Sequence, residues 1–210
     1  MLFKGTARRG MGEIAREVEG LGGEINAWTS YDQTVYHLVL ASAHFAAGLD
    51  ILSDAVRASA FDAGELSREI EVVVEEIKRS ADQPSRRVSK AMFETAFGAH
   101  PYRLPVLGTE ESVRSFTREK MLAFYRRHYT PDNMVVVLVG DVEEERARAE
   151  IDRCFGGDWG RRRPALAARP VEPPQTAPRF ALLSDSVQET HLALAFHVPG
   201  VQSPQVPALD

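Results

Sequence analysis

Apolar positions recur along this chain with two periods, and the change between them predicts helices interrupted by short strands. Near the start, Ile14, Val18 and Leu21 recur at helical spacing, and the glycine pair that follows is typical of a helix C-terminus. Residues 24–30 and 34–41 then alternate with period two, with a turn between them. This pattern predicts two strands joined as a hairpin.

Helical periodicity dominates the middle of the chain. Asp62 has the character of an N-cap, and prolines at 84 and 131 interrupt helical patterns. Further helices are predicted near 44–60, 63–80, 85–97, 117–128 and 143–154.

The last third returns to extended patterns. The apolar run Met134–Val139 predicts a buried strand, and the later runs 180–183 and 190–198 predict two more. The proline-rich stretch 156–178, which precedes these last two runs and contains Arg161-Arg162-Arg163, predicts a linker.

These elements predict an α+β fold, a mixed β-sheet with helices packed on one face. We expect two parts, 1–116 and 117–210. The first contains the helix 63–80; the second contains a strand at 133–139, a linker at 156–178 and strands within 179–198.

Composition narrows the classes of function. The 210 residues are 44% hydrophobic and 26% charged, as in globular proteins, and no apolar run predicts a membrane-spanning helix. A formal net charge of −5 argues against nucleic-acid binding. The single cysteine, Cys154, cannot form an internal disulfide.

Two glutamates of the helix 63–80 carry the most informative chemistry. At 100° per residue, Glu69 and Glu76 lie about 20° apart on one stripe, between Val72 and Val73 of the apolar sector. A carboxylate there needs a cation, a metal or strong hydrogen-bond donors. Two interpretations stay open: border glutamates that reach solvent or pair with arginines, or a metal or catalytic site.

Several motifs together resemble the pitrilysin/insulinase family of zinc peptidases, over almost the whole chain and in the family's order. Within that family, the chain is similar to the subfamily of mitochondrial processing peptidase and its bacterial relatives. The motifs are Met1-Leu2-Phe3-Lys4-Gly5-Thr6, Gly22-Gly23-Glu24-Ile25-Asn26-Ala27-Trp28-Thr29-Ser30, Thr34-Val35-Tyr36, the helix around Glu69-Ile70-Glu71, His100-Pro101-Tyr102 with Gly108, His128-Tyr129-Thr130-Pro131-Asp132-Asn133-Met134, and Val139-Gly140-Asp141.

The resemblance implies a zinc site of which this chain holds only a part. In the family, an H-x-x-E-H motif supplies two histidine ligands and the general base, and it stands directly before the stretch that Met1–Thr6 resembles. We therefore expect a chain truncated just after that motif and again after Asp210. Glu76 then corresponds to the third zinc ligand and Glu69 to a supporting acidic residue. The fragment alone should be inactive, and its parent active.

The resemblance also implies where substrate binds. Asn26, Ala27 and Trp28 correspond to an edge strand that pairs with an extended peptide. Asn26 is alternatively a turn or bulge residue, and Trp28 alternatively a packing residue. His37 is interpreted as a sheet histidine, and His100 and His128 as structural.

The function implied is a zinc-dependent endopeptidase that cleaves extended peptides by metal-activated water. Peptide substrates and a second homologous half or subunit are the expected partners, in the cytoplasm or periplasm of a bacterium. The alternative is a non-catalytic homologue that serves as a structural or substrate-presenting subunit. The sequence upstream of Met1 distinguishes the two.

Overall fold

The computed structural model describes residues 1–157, 159 and 168–208, and two compact units can be distinguished. The first comprises Met1–Val74 and the described part of Glu111–Leu166. The second comprises Glu75–Glu110 and the described part of Ala167–Asp210. Each unit contains residues from both of the parts expected from sequence, 1–116 and 117–210. The division of the chain at 116 stays a prediction.

The predicted helices are all present within the described residues. The short helix α5 was not predicted. In chain order the elements are α1 (Glu13–Gly20), β1 (Glu24–Thr29), β2 (Thr34–Val39), α2 (Phe45–Ala58), α3 (Ala63–Ala81), α4 (Pro84–Ala96), α5 (Glu110–Arg114), α6 (Arg118–His128) and α7 (Glu144–Phe155).

The glycine pair after α1 sets the turn into β1. Gly22 adopts the left-handed conformation, with φ of 71°, and its N–H donates to the carbonyl of Glu19. At Gly23 a Cβ atom would lie 2.1 Å from Leu40 Cδ2 and 2.5 Å from the carbonyl oxygen of Val39. The second position therefore has no room for a side chain, because β2 ends against it.

The only sheet of the described residues is the predicted hairpin. β1 and β2 pair antiparallel in continuous register, from Glu24 opposite Val39 to Thr29 opposite Thr34. The fold is thus α+β in the coarse sense, with a two-stranded sheet where a larger mixed sheet was expected.

The strands expected at 133–139 and within 179–198 are not formed, and this corrects the prediction. In the first segment Leu138 packs into the core, whereas Val135, Val137 and Val139 are 88%, 74% and 94% exposed. An apolar run favours burial of its side chains, but a strand also needs a neighbouring strand to accept and donate its hydrogen bonds. Among the described residues none pairs with these segments.

The core of the first unit forms where α1 packs on α2. Ile14 and Val18 of α1 contact Ile51 and Ala55 of α2, and all four are fully buried or nearly so. Two smaller clusters extend it, one around Leu2, Val56 and Phe61, the other around Phe45, Leu49 and Cys154.

A buried charge network ties the first ten residues to α1 and α2. Arg9 donates from Nη1 to Asp54 at 2.8 Å, from Nη2 to Asp50 at 2.7 Å and from Nε to Glu17 at 2.9 Å. Thr6 Oγ1 adds a 2.7 Å hydrogen bond to Asp54. The Asp54 side chain is only 2% exposed, so its carboxylate depends on these donors in place of water.

Asp50 makes this network sensitive to acid. Burial acts to raise its pKa, but hydrogen bonds from Arg8 and Arg9 outweigh burial and hold the pKa below the usual 3.8. A lowered carboxyl pKa stabilises the fold above the unfolded value, and that stabilisation is lost as the pH falls through the folded pKa. The network should therefore weaken below about pH 4.

We predict that Arg9→Met lowers the free energy of unfolding by about 3 kcal/mol, because it leaves the buried carboxylate of Asp54 without its cation. Arg8→Met is the matched control: Arg8 also binds Asp50, but its side chain is 59% exposed, so its loss should lower the free energy by less than about 1 kcal/mol. Urea denaturation measures both. Equal losses in the two variants would contradict the assigned role of the network.

In the second unit, a loop after α4 holds a carboxylate with three consecutive main-chain donors. The N–H groups of Gly98, Ala99 and His100 donate to Glu172 at 2.8, 2.8 and 2.9 Å. Glu172 belongs to the described part of the expected linker; Arg161, Arg162 and Arg163 lie outside the described residues. Hydrogen bonds from these N–H groups lower the pKa of Glu172 to about 2. This linker segment is thus attached rather than free.

We predict that the amide proton shifts of Gly98, Ala99 and His100 titrate together in NMR spectra, with a midpoint near 2 rather than 4.5. The attachment is complete above the unfolded pKa and is lost as acid protonates Glu172. Glu172→Gln should abolish this titration, whereas Glu189→Gln, which replaces an exposed carboxylate of the same unit, should not. A midpoint near 4.5 in the unsubstituted protein would show that the loop does not hold the carboxylate.

Candidate functional site

The candidate site is built on α3, which begins at the predicted N-cap. Asp62 Oδ1 accepts a hydrogen bond from the Glu65 N–H at 2.9 Å, and the Asp62 carbonyl accepts one from Leu66. From there the helix runs without interruption over Ala63–Ala81. Glu69 and Glu76 therefore occupy one stripe, about two turns apart, as the sequence predicted.

The Glu69 side chain lies next to the first residues of the chain. Its side chain is 25% exposed, and Oε1 accepts a hydrogen bond from Lys4 Nζ at 2.7 Å. Oε2 lies 4.0 Å from the main-chain nitrogen of Met1. Glu69 has thus found the cation that its position requires, although the cation is a lysine and not one of the arginines considered from sequence.

A second carboxylate lies one turn earlier on α3. Glu65 is buried; its Oε1 binds Arg68, and its Oε2 lies 4.0 Å from Lys4 Nζ. Lys4 thus interacts with both acidic side chains. The hydrogen bond to Glu69 raises the pKa of Lys4 above its ordinary value, against a smaller opposing effect of burial, so Lys4 carries its full charge at neutral pH.

Glu76 differs from Glu69 in its surroundings. It is exposed, as is Val72 beside it on the same sector of α3, so the burial expected for this glutamate is not observed. Within the described residues the Glu76 side chain takes part in no ion pair or hydrogen bond. Its carboxylate is consequently available to a ligand, and its role as a zinc ligand stays a prediction.

The residues at hand fit zinc only as part of a larger site. Within residues 1–157, 159 and 168–208, no group of three His, Cys, Asp or Glu side chains is arranged so that it could hold a metal ion. Catalytic zinc takes three protein ligands, of which a carboxylate is a common one. Glu76 meets the requirement for one ligand, and the others must come from elsewhere.

The expected substrate strand is β1. Asn26 pairs opposite His37 in the regular ladder, so it is neither a turn nor a bulge residue. Its Oδ1 accepts a 2.8 Å hydrogen bond from the N–H of Ala27, and Trp28 is 47% exposed. β1 pairs only with β2 in the described part of the chain, which leaves its other edge open there.

The histidines occupy the positions expected of structural residues. His37 lies in β2 and is half-buried, and His128 ends α6. His100 Nδ1 accepts a hydrogen bond from the N–H of Tyr102 at 3.3 Å, which caps a short 3-10 helix. None of the described helices has the length and apolar character needed to cross a membrane.

Comparison with protein families matches the chain twice. Residues 1–110 match the family described as Insulinase (Peptidase family M16), and residues 115–210 match the Peptidase M16 inactive domain. The two matches together cover almost the entire chain.

Curated relatives carry the same family character. An uncharacterized zinc protease of Mycobacterium tuberculosis is 32% identical over 201 residues, which are 95% of this chain and 46% of the relative. A probable mitochondrial-processing peptidase subunit beta of Arabidopsis thaliana is 32% identical over 155 residues, 74% of this chain and 29% of that protein. This chain therefore spans a little under half the length of the mycobacterial relative and less than a third of the Arabidopsis relative.

A solved structure supports the fold. The crystal structure of a protease from Helicobacter pylori superposes with a TM-score of 0.83 at 26% identity, over 89% of this chain and 45% of that one. With the family match over residues 1–110, the conclusion is direct: the chain belongs to the insulinase family of peptidases.

Proposed function

We propose that this chain is part of a zinc-dependent endopeptidase that cleaves extended peptides by metal-activated water. The observation that carries the proposal is the 4.0 Å approach of Glu69 Oε2 to the main-chain nitrogen of Met1. Glu69 of α3 thereby lies beside the start of the chain. An H-x-x-E-H motif directly before Met1 would end beside Glu69.

The residues of α3 have distinct roles in this proposal. Glu76, with its unengaged carboxylate, is the third metal ligand. Glu69, held by Lys4, supports the site without ligating. Zinc, when bound, supplies an activated water and polarises the peptide carbonyl. The general base and the two histidine ligands come from the preceding motif, so these 210 residues alone should not hydrolyse peptides.

β1 is the proposed binding strand for the substrate. An extended peptide that adds to its open edge gains main-chain hydrogen bonds, which require little sequence specificity. Asn26 and Trp28 flank Ala27 and are exposed, so they are placed to contact the side chains or main chain of such a peptide.

The whole enzyme is proposed to contain a second homologous half or subunit. Two observations support this: the chain spans only 46% of its mycobacterial relative, and the Arabidopsis relative is named as a subunit. We propose the cytoplasm or periplasm of a bacterium as its location.

The competing proposal is that the chain belongs to a non-catalytic subunit. The sequence upstream of Met1 distinguishes this proposal from the peptidase. An in-frame H-x-x-E-H motif there supports the peptidase. An intact upstream region without the motif would instead indicate a structural or substrate-presenting homologue.

In the full-length protein, we predict that Glu76→Gln weakens zinc affinity by at least about tenfold, because it removes a charged ligand. Glu75→Gln is the matched control, since it removes a neighbouring exposed carboxylate of the same helix that pairs with Lys78. Competition with a chelator measures both affinities. Equal affinities for Glu76→Gln and the unsubstituted protein would remove Glu76 from the site.

We also predict that the full-length enzyme cleaves a flexible peptide of about 20 residues much faster than a stable folded domain containing the same segment, because an edge strand binds only unpaired backbone. Ala27→Pro should lower kcat/KM for the peptide by roughly tenfold, since proline removes the N–H of that residue, which a bound peptide takes over from the Asn26 side chain.

Ala27→Ser keeps the N–H and is the control for the proline variant. Equal turnover of the flexible and folded substrates, or equal kcat/KM for the two Ala27 variants, would contradict binding at this edge.

A further inference from the structure

Lys4 lies between two acidic side chains, and its contact with Glu69 gives it a more specific role than holding that side chain in place. Its ammonium group is 2.7 Å from Glu69 Oε1 and 4.0 Å from Glu65 Oε2. Its own side chain is 42% exposed, whereas those of Glu65 and Glu69 are 6% and 25% exposed. A partly exposed lysine therefore reaches inward to a pair of sheltered carboxylates.

The spacing of the two glutamates explains why a cation is needed between them. Residues four apart lie on the same face of a helix, and like charges there repel. Arg68 engages Glu65 from α3 itself, at the oxygen that faces away from Lys4. Lys4 comes from a different segment and completes the balance of two positive and two negative charges.

Lys4 also distinguishes Glu69 from Glu76. One oxygen of Glu69 is engaged by Lys4, and the other faces the main-chain nitrogen of Met1. Glu76, on the same stripe, forms no ion pair within the described residues. Two chemically identical side chains of one helix are therefore in different states, and the difference at Glu69 comes from Lys4.

We propose that Lys4 is a positioning residue of the peptidase site: it neutralises Glu69 and holds the second Glu69 oxygen beside the main-chain nitrogen of Met1, which leaves Glu76 as the carboxylate ligand. This inference rests on the proposed zinc-peptidase function. Lys4 itself contacts neither metal nor substrate and acts only through Glu69.

The test uses the full-length protein and four variants: Lys4→Met, Lys4→Arg, Glu69→Gln and the double variant Lys4→Met/Glu69→Gln. Lys90→Met is the control, because Lys90 belongs to the second unit and pairs with Glu94 on α4 at 3.8 Å. Zinc affinity by chelator competition and the separate values of kcat and KM are measured, with the melting temperature as a check on folding.

Lys4→Met should weaken zinc affinity by roughly tenfold and lower kcat more than it raises KM, since a residue that orients the ligands affects the metal before the substrate. Lys4→Arg should stay within about threefold of the unsubstituted protein, because it keeps the charge. Lys90→Met should change neither quantity. The double variant should be no weaker than Glu69→Gln alone, as expected when one residue acts through another.

Three outcomes would overturn the proposal. Unchanged zinc affinity in Lys4→Met would show that Lys4 has no influence on the site. A further loss in the double variant beyond Glu69→Gln would show that Lys4 acts independently. A lower melting temperature without a change in zinc affinity in the folded protein would assign Lys4 to stability alone. Absence of zinc binding by the unsubstituted protein is a separate result, and it would refute the proposed function itself.

Discussion

A carboxylate removed from water must find a cation, and this constraint organises the first unit. It is met twice within the first ten residues. Arg9 reaches the buried carboxylate of Asp54 on α2, and Lys4 reaches Glu69 on α3. Both pairs join the start of the chain to a helix distant in sequence. The charges therefore determine where the N-terminal segment lies, and apolar packing of Leu2 against Val56 and Phe61 completes its attachment.

This arrangement connects stability to the proposed chemistry. The proposed site requires that the start of the chain keep a fixed position beside α3. Arg9 and Lys4, five residues apart, hold the start of the chain in place through their ion pairs with Asp54 and Glu69. Neither pair gains much from attraction alone, because removing charges from water offsets most of it. The two pairs act mainly by raising the free energy of other conformations, since any displacement of this segment would leave a sheltered carboxylate unpaired.

The sequence predicted those features that depend on local pattern. Helical periodicity located the helices, Asp62 identified the start of α3, and Gly22-Gly23 identified the turn into β1. Features that depend on distant partners were not predicted. The continuous apolar run at 134–139 indicated a strand, yet no described residue pairs with it. Lys4 lies 65 positions from Glu69, and helix geometry alone could not identify it as the partner.

Glu172 is a second residue whose distant contacts could not be predicted from local sequence. Its segment has the proline-rich composition of a linker, and nothing in its own sequence indicates that three consecutive N–H groups of another loop bind it. The resemblance to the peptidase family is confirmed by the family match, because ordered motifs carry information about the whole fold. The roles of Glu69 and Glu76 stay predictions.

The most direct test of Glu76 as the zinc ligand is a crystal structure of the full-length protein, with zinc located by anomalous scattering. We predict a metal ion about 2.0–2.2 Å from a carboxylate oxygen of Glu76, with Glu69 bound to Lys4 and outside ligand distance. Zinc ligated by Glu69 in place of Glu76, or a zinc site elsewhere in the protein, would contradict it.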